Sequence, residues 1–235
     1  MVIRTLVLSG GAYKGLYIFG ALKHLIQTKH IKLKNIKHFY GSSVGCLIAV
    51  MLSLKLSIEH LEYFIVKKDW SNLVTLTPSI FFDMIDKKGL YGREFFEEIL
   101  NKLFLYKGLS KDITMKEFYD FSKKTNHFYT MCANTIELEE ISHLTHPDMK
   151  VVDAVYQCCA LPFVFQPVWR GNSYYMDGNF ICSYPIEQCL AAGHKPRNVL
   201  GVKLSSSDAD DGAVEDDNIF KYGMLMIYKI LRRSK

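Results

Sequence analysis

The sequence predicts an α/β fold built around adjacent parallel strands, and three observations carry that expectation. Arg4–Leu8 is a compact β-prone run that passes through the glycine turn Ser9–Gly15 into helical spacing at Leu16, Phe19, Leu22, Leu25 and Ile26. A second short strand, about Lys37–Tyr40, ends at Gly41-Ser42-Ser43-Val44-Gly45, and an apolar helix from Val44 to about Leu56 follows. Near the end, a helix Pro185–Ala192 stops at Gly193 and leads into a buried strand, Asn198–Leu204.

Between these units, residues 57–125 are mostly helical in period. Ile58, Leu61 and Phe64-Ile65 form one stripe; Leu90, Phe95-Phe96, Ile99-Leu100 and Leu103-Phe104 form another. Thr114 and Glu117 have the spacing of a capping box. Residues 76–85 are unusually apolar, which suits core packing or a lid whose aromatic face meets lipid. His127–Thr135 and Ile136–His143 read as two strands, and Met149–Ala160 as a helix that ends before Pro162. Leu161–Val168 is a proline-bounded apolar connector, and Ser173–Met176 is a strand ending at Asp177-Gly178-Asn179. Residues 206–218 are an acidic, low-complexity surface loop, and residues 219–235 a basic amphipathic helix that docks on the domain or lies at a membrane interface.

A chain of 235 residues, 49% hydrophobic and 23% charged, has the composition of one sizeable globular domain. Its longest apolar stretch, Val44–Leu54, is far short of a bilayer span. The run Thr5–Leu8 is too short for the apolar core of a secretory signal, so the expected location is inside a cell, cytoplasmic or at the periphery of a membrane. Six cysteines show neither C-x-x-C pairs nor Cys/His metal spacing and are expected as reduced, buried thiols. The net charge of +5 is uneven: residues 1–58 hold eight Lys/Arg and no Asp or Glu. Such a basic lobe attracts anionic surfaces, phospholipid headgroups and nucleic acid among them, although solvated lysines have the same signature.

The chemistry concentrates at the two glycine turns. In Gly41-Ser42-Ser43-Val44-Gly45 the bracketing glycines let the backbone turn sharply from strand to helix, which projects the Ser43 hydroxyl as a nucleophile elbow. The helix that starts there favours negative charge at the serine or an attached oxyanion. Ser42 lacks the bracketing and reads as a turn residue. The first turn, Ser9–Gly15, presents consecutive N–H groups to an anion, either an oxyanion or a nucleotide phosphate. The dinucleotide fingerprint fails at Ala12, and no acidic residue precedes Glu59, so the oxyanion is the better fit. Two bases are available after the elbow: His194 with Asp177 as a triad in the order Ser43, Asp177, His194, or Asp177 alone. His194 follows a helix-capping glycine in what reads as an exposed turn, which favours the dyad.

The stretches Leu8–Gly15, Gly41–Gly45, Ala160-Leu161-Pro162 with Phe165–Val168, and Asp177-Gly178-Asn179 resemble, in order and spacing, a patatin-like phospholipase domain over roughly residues 4–205. The resemblance implies a three-layer α/β/α sandwich around a mixed, mostly parallel central sheet, with residues 57–125 as a helical cap region. It also implies metal-independent hydrolysis of fatty-acyl esters of phospholipids or glycerolipids without a cofactor. By position Ser43 is the nucleophile, Asp177 the general base, and the N–H groups of Gly10, Gly11 and Ala12 the oxyanion hole, with Gly15, Gly41, Gly45 and Gly178 as supporting motif glycines. The family's third loop glycine is Ala12 here, and Asn179 follows Asp177-Gly178 where glycine or alanine is usual. The expected partner is lipid at a membrane surface, with no nucleic acid and no obligate metal. The alternatives are a triad esterase and a non-catalytic module that binds nucleotide, another anion, or lipid.

Overall fold

The structure, a computed structural model, describes residues 2–67 and 86–205. By its contacts the chain divides into a unit over Met1–Lys203 and a second over Leu204–Lys235, and every element named below belongs to the first. The apolar stretch 76–85, the acidic loop 206–218 and the basic segment 219–235 lie outside the described residues.

The chain opens with β1 (Thr5–Leu8), a short 3₁₀ turn (Ala12–Lys14) and α1 (Gly15–Gln27), then β2 (His38–Ser42) and α2 (Val44–Ser53). There follow α3 (Ile58–Glu62), β3 (Gly89–Tyr91), α4 (Glu94–Tyr106), α5 (Met115–Ser122), β4 (Thr125–Cys132) and β5 (Glu137–Ile141). The last part holds α6 (Val151–Cys159), β6 (Phe163–Phe165), β7 (Val168–Arg170), β8 (Ser173–Asp177), α7 (Ile186–Ala191) and β9 (Val199–Val202). The capping box starts α5 as its spacing predicts: Glu117 N–H donates to Thr114 Oγ1, and Thr114 N–H donates to Glu117 Oε2 at 2.8 Å.

The main sheet runs β7-β8-β4-β2-β1-β9, with β5 added to β4. β9, β1, β2 and β4 are parallel neighbours, while β5, β8 and β7 join antiparallel, so the sheet is mixed. One strand edge places the candidate site. Phe128 and Tyr129 pair with β5 and with β2, and Thr130–Cys132 pair with β5 and with β8. A strand residue has only two edges, so β2 and β8 share the same edge of β4. β2 stops with Ser42 opposite Tyr129, and β8, running the other way, stops with Asp177 opposite Thr130. The carboxyl ends of two strands far apart in sequence therefore meet head to head.

Strand alternation sends Leu6, Phe39 and Phe128 to one face of the sheet, where all three are wholly buried. That face receives α2, whose Ser53 hydroxyl donates to Asn126 Oδ1 at 3.2 Å, and α6, whose Gln157 carbonyl accepts from Thr130 Oγ1 at 3.3 Å. Val7, Tyr40 and Tyr129 point to the other face and pack with Cys189 of α7 and with Ile186 and Tyr184. Helices on both faces complete the α/β/α sandwich that the resemblance implied.

Several boundaries differ from the sequence reading, each for a local reason. The apolar connector 161–168 contains β6 and the first residue of β7, and β6 pairs with β3 in a separate two-stranded sheet. Three-residue strands are too short to display an alternation. β3 also interrupts the helical stretch 57–125, in which Phe96, Leu100 and Phe104 form the buried stripe of α4 that their spacing predicts. Ser42 is the last residue of β2 and fully buried, not a turn residue, and its hydroxyl has no partner among the described residues. The helix after the elbow ends at Ser53 instead of about Leu56, with Lys55 in a left-handed conformation (φ 56°).

Candidate active site

Ser43 sits between β2 and α2 with φ 52° and ψ −129°, a conformation that non-glycine residues rarely hold and that costs on the order of 1–3 kcal/mol. The surroundings enforce it. A β-carbon on Gly45 would stand 2.5 Å from the Leu8 carbonyl oxygen, so the first turn of α2 comes close enough to β1 only because residue 45 is glycine. With that turn held, the Ser43 side chain faces the end of β8. Its Oγ donates to Asp177 Oδ2 at 2.5 Å, across 134 residues of sequence.

Asp177 is fixed from three sides. Its N–H donates to the Ala160 carbonyl at 3.0 Å, and the Asn179 N–H donates to its Oδ1 at 2.8 Å. Thr130 Oγ1 donates to the Met176 carbonyl at 2.9 Å, which ties β8 to β4 one residue before the carboxylate. Gly178 lets the chain leave Asp177 beside β4, because a β-carbon there would lie 2.2 Å from the Tyr129 carbonyl oxygen. The carboxylate is 2% exposed and Ser43 6%, so both groups work in a nearly dry setting. Burial pushes the Asp177 carboxyl up from 3.8 to about 7, against the opposing pull of the hydrogen bonds from Ser43 and Asn179. An ordinary aspartate is a feeble base towards a hydroxyl, and this one is far stronger.

The first glycine turn lies beside the pair. The Gly10 N–H donates to the Ser183 carbonyl at 2.9 Å, so that group, expected as an oxyanion donor, is already taken. Gly11 (φ 155°) and Ala12 (φ 47°) have N–H groups that donate to no described residue, and the oxyanion reading narrows to these two. Ala12 thus occupies a positive-φ position where its β-methyl is a small strain, and its N–H is kept. Sequence reasoning treated Asn179 only as a departure from the family pattern and missed its place here. Its N–H holds the carboxylate while its side chain packs on Gly10, joining Asp177 to the first glycine turn. No motif marks such a role; a polar residue two positions after Asp177 is the only trace it leaves in the sequence.

His194 is elsewhere. It shares hydrogen bonds with Thr5 Oγ1 (3.2 Å) and Tyr40 Oη (3.1 Å), and its ring lies 4.5 Å from that of His38. Thr5 and His38 begin β1 and β2, on the face opposite α2, whereas Ser43 follows the last residue of β2. At about 3.3 Å per residue the two ends of β2 are more than about 10 Å apart, which removes His194 from the hydroxyl and overturns the triad alternative. Its neighbours Gly193, Lys195 and Pro196 are exposed, as expected of a surface turn, but His194 itself is half-buried, and burial holds it below the usual imidazole range, helped by His127. His194→Ala is expected to leave ester hydrolysis within about twofold of wild type in an initial-rate assay, as for a residue outside the reacting groups. A loss of activity in a folded variant would return histidine to the mechanism.

Among the described residues no three His, Cys, Asp or Glu side chains group as metal ligands, and no helix is long and apolar enough to cross a membrane. All six cysteines are buried free thiols. Burial also pushes the Cys158 and Cys159 thiols, close to Asp177, well up.

Residues 6–190 match the family model described as patatin-like phospholipase. A probable lipid hydrolase, 463L, of Invertebrate iridescent virus 6 is 31% identical over 196 residues, covering 82% of this chain and 65% of the viral protein. The uncharacterized protein R571 of Acanthamoeba polyphaga mimivirus is 29% identical over 184 residues, covering 78% and 60%. The chain thus spans less than two thirds of the length of either relative. Among solved structures, VipD from Legionella pneumophila superposes with a TM-score of 0.59 at 19% identity, over 86% of this chain and 49% of that one, a likeness of fold. With a model matched over most of its length and that fold beneath it, the chain belongs to the patatin-like phospholipase family.

Proposed function

We propose that the chain is a serine lipid acyl hydrolase of the phospholipase A type, cleaving fatty-acyl esters of phospholipids or glycerolipids through Ser43 and Asp177. The observation that carries this reading is the 2.5 Å hydrogen bond from Ser43 Oγ to a buried carboxylate whose pKa lies near neutrality. Family membership and the viral relative's name, a probable lipid hydrolase, support the substrate class.

In this mechanism Asp177 accepts the Ser43 proton as Oγ attacks the ester carbonyl. The negative charge that develops on the carbonyl oxygen is met by the N–H groups of Gly11 and Ala12 and by the amino end of α2. As the tetrahedral intermediate collapses, protonated Asp177 gives its proton to the departing alkoxide, and the acyl group remains on Ser43. Water then gives a proton to Asp177 and attacks the acyl-enzyme, and the fatty acid leaves as Ser43 recovers its proton. Every step uses one base and fixed N–H donors, so the scheme requires no metal.

A membrane surface as the place of reaction is supported by the exposed Tyr13, Leu16 and Tyr17 beside the oxyanion loop, set in a basic amino-terminal region. The test is incubation with mixed phosphatidylcholine and phosphatidylglycerol vesicles, with product analysis by mass spectrometry. Free fatty acid and lysophospholipid are expected, at a rate that EDTA does not change. Vesicles left intact, or release that stops with EDTA, would contradict the reading.

A further inference from the structure

An apolar groove of about 340 Å³ begins at Val44, the residue that follows Ser43. Val44, Leu47 and Met51 of α2 line it with Ala12, Phe19 of α1 and Ile99 of α4. The spacing 44, 47, 51 keeps one face of α2 towards it. Val44 follows Ser43 and Ala12 carries one of the two N–H groups assigned to the oxyanion, so one end of the groove adjoins residues that flank the reacting bond. The other end is buried: Met51, Phe19 and Ile99 are 4%, 3% and 8% exposed, whereas Ala12 is exposed and Leu47 half-buried. Met51 lies about 10 Å along the helix axis from Val44. Apart from the Tyr13 hydroxyl, no described side chain that lines the groove carries a nitrogen or oxygen atom, so the described lining suits a hydrocarbon chain rather than a headgroup or a phosphate.

We propose that this groove receives the acyl chain of the scissile ester and that Met51, as its floor, sets the chain length the enzyme prefers. The inference rests on the serine hydrolase reading and extends it from the reaction to the part of the substrate that is selected. The volume holds roughly ten methylene-sized groups, each close to a water's share of about 30 Å³. A chain up to that length gains by burial, and a longer one gains nothing more from this groove.

The test is kcat/KM on a series of p-nitrophenyl esters from acetate to palmitate. For the wild-type protein kcat/KM is expected to rise with chain length, by up to about fourfold per buried methylene, and to level off near roughly ten carbons. Met51→Trp is expected to move that break about two carbons shorter and Met51→Ala about two carbons longer, from the side-chain volume each adds or removes. Thermal melting establishes that each variant is folded. Should Met51→Trp fail to fold, Leu47→Phe, at the half-buried position nearer Ser43, is expected to shorten the break as well. A break that stays in place in folded variants on both sides of the volume change overturns this inference, as when a segment of the chain itself fills the groove, while the hydrolase reading stands. No turnover at any chain length, with no labelling of Ser43 by a fluorophosphonate, removes both.

Discussion

Replacing Ser43 with alanine is expected to lower ester hydrolysis by about 10⁴-fold or more and to abolish labelling by a fluorophosphonate ester. The size follows from what is lost. Alanine has no oxygen to form the acyl-enzyme, and the oxyanion donors that survive act only on direct attack by water, for which the site has no positioned nucleophile. The fold should tolerate the change, because alanine fits the space and the turn is held by the contact of Gly45 with Leu8 rather than by the hydroxyl. There is a second consequence at Asp177. Its Oδ2 loses the hydrogen bond from Ser43 while its Oδ1 keeps the one from Asn179. A buried carboxylate that loses a donor is destabilised by roughly 1–3 kcal/mol, and only while it is ionised. The melting temperature of Ser43→Ala should therefore fall relative to wild type more at pH 8.5 than at pH 5.5. Full hydrolysis in the alanine variant, or labelling that persists at another residue, would show that the reacting group lies elsewhere.

The parts of this site legible in the sequence were those that glycine and proline punctuate. Gly41-Ser42-Ser43-Val44-Gly45 announces a strand-to-helix turn because only glycine permits the approach seen at residue 45, and the order of the four motifs brought Asp177 into view. What the letters did not carry was edge pairing. That β2 and β8 end head to head on one edge of β4 depends on Tyr129 and Thr130 being consecutive pairing positions, a property of register rather than of residue type. That the Gly10 N–H is already hydrogen-bonded depends likewise on the Ser183 carbonyl, 173 positions away in sequence. His194 shows the converse: a glycine before it and a proline after it suggest a surface turn, yet the hydrogen bonds to Thr5 and Tyr40 draw it against the back of the sheet. Short strands such as β6 and β7 escaped for a simpler reason, since three residues cannot show a period.

Asp177→Asn is expected to reduce kcat/KM by about 10³- to 10⁴-fold while making the protein more stable at alkaline pH. Asparagine keeps one oxygen, which accepts from the Asn179 N–H, and its NH2 can donate to Ser43 Oγ but cannot take the proton, so the serine is positioned and not activated. In the wild-type enzyme the base works only when ionised. With its pKa near 7, kcat/KM should fall about tenfold for each pH unit below that value and flatten above it. The stability effect has the opposite sign. Because the folded carboxyl has its pKa raised from 3.8 to about 7, its neutral form is favoured by folding. That contribution is fully present below pH 3.8 and is lost as pH rises through about 7. Asparagine never ionises and does not suffer the loss. The variant should therefore melt higher than wild type at pH 8.5, by a margin that shrinks towards pH 5. Paired melting curves and pH–rate profiles read both halves of this expectation from the same residue. A wild-type rate that is level from pH 5 to 8, or an asparagine variant less stable at pH 8.5, would mean that Asp177 is an ordinary, solvated carboxylate and not the base.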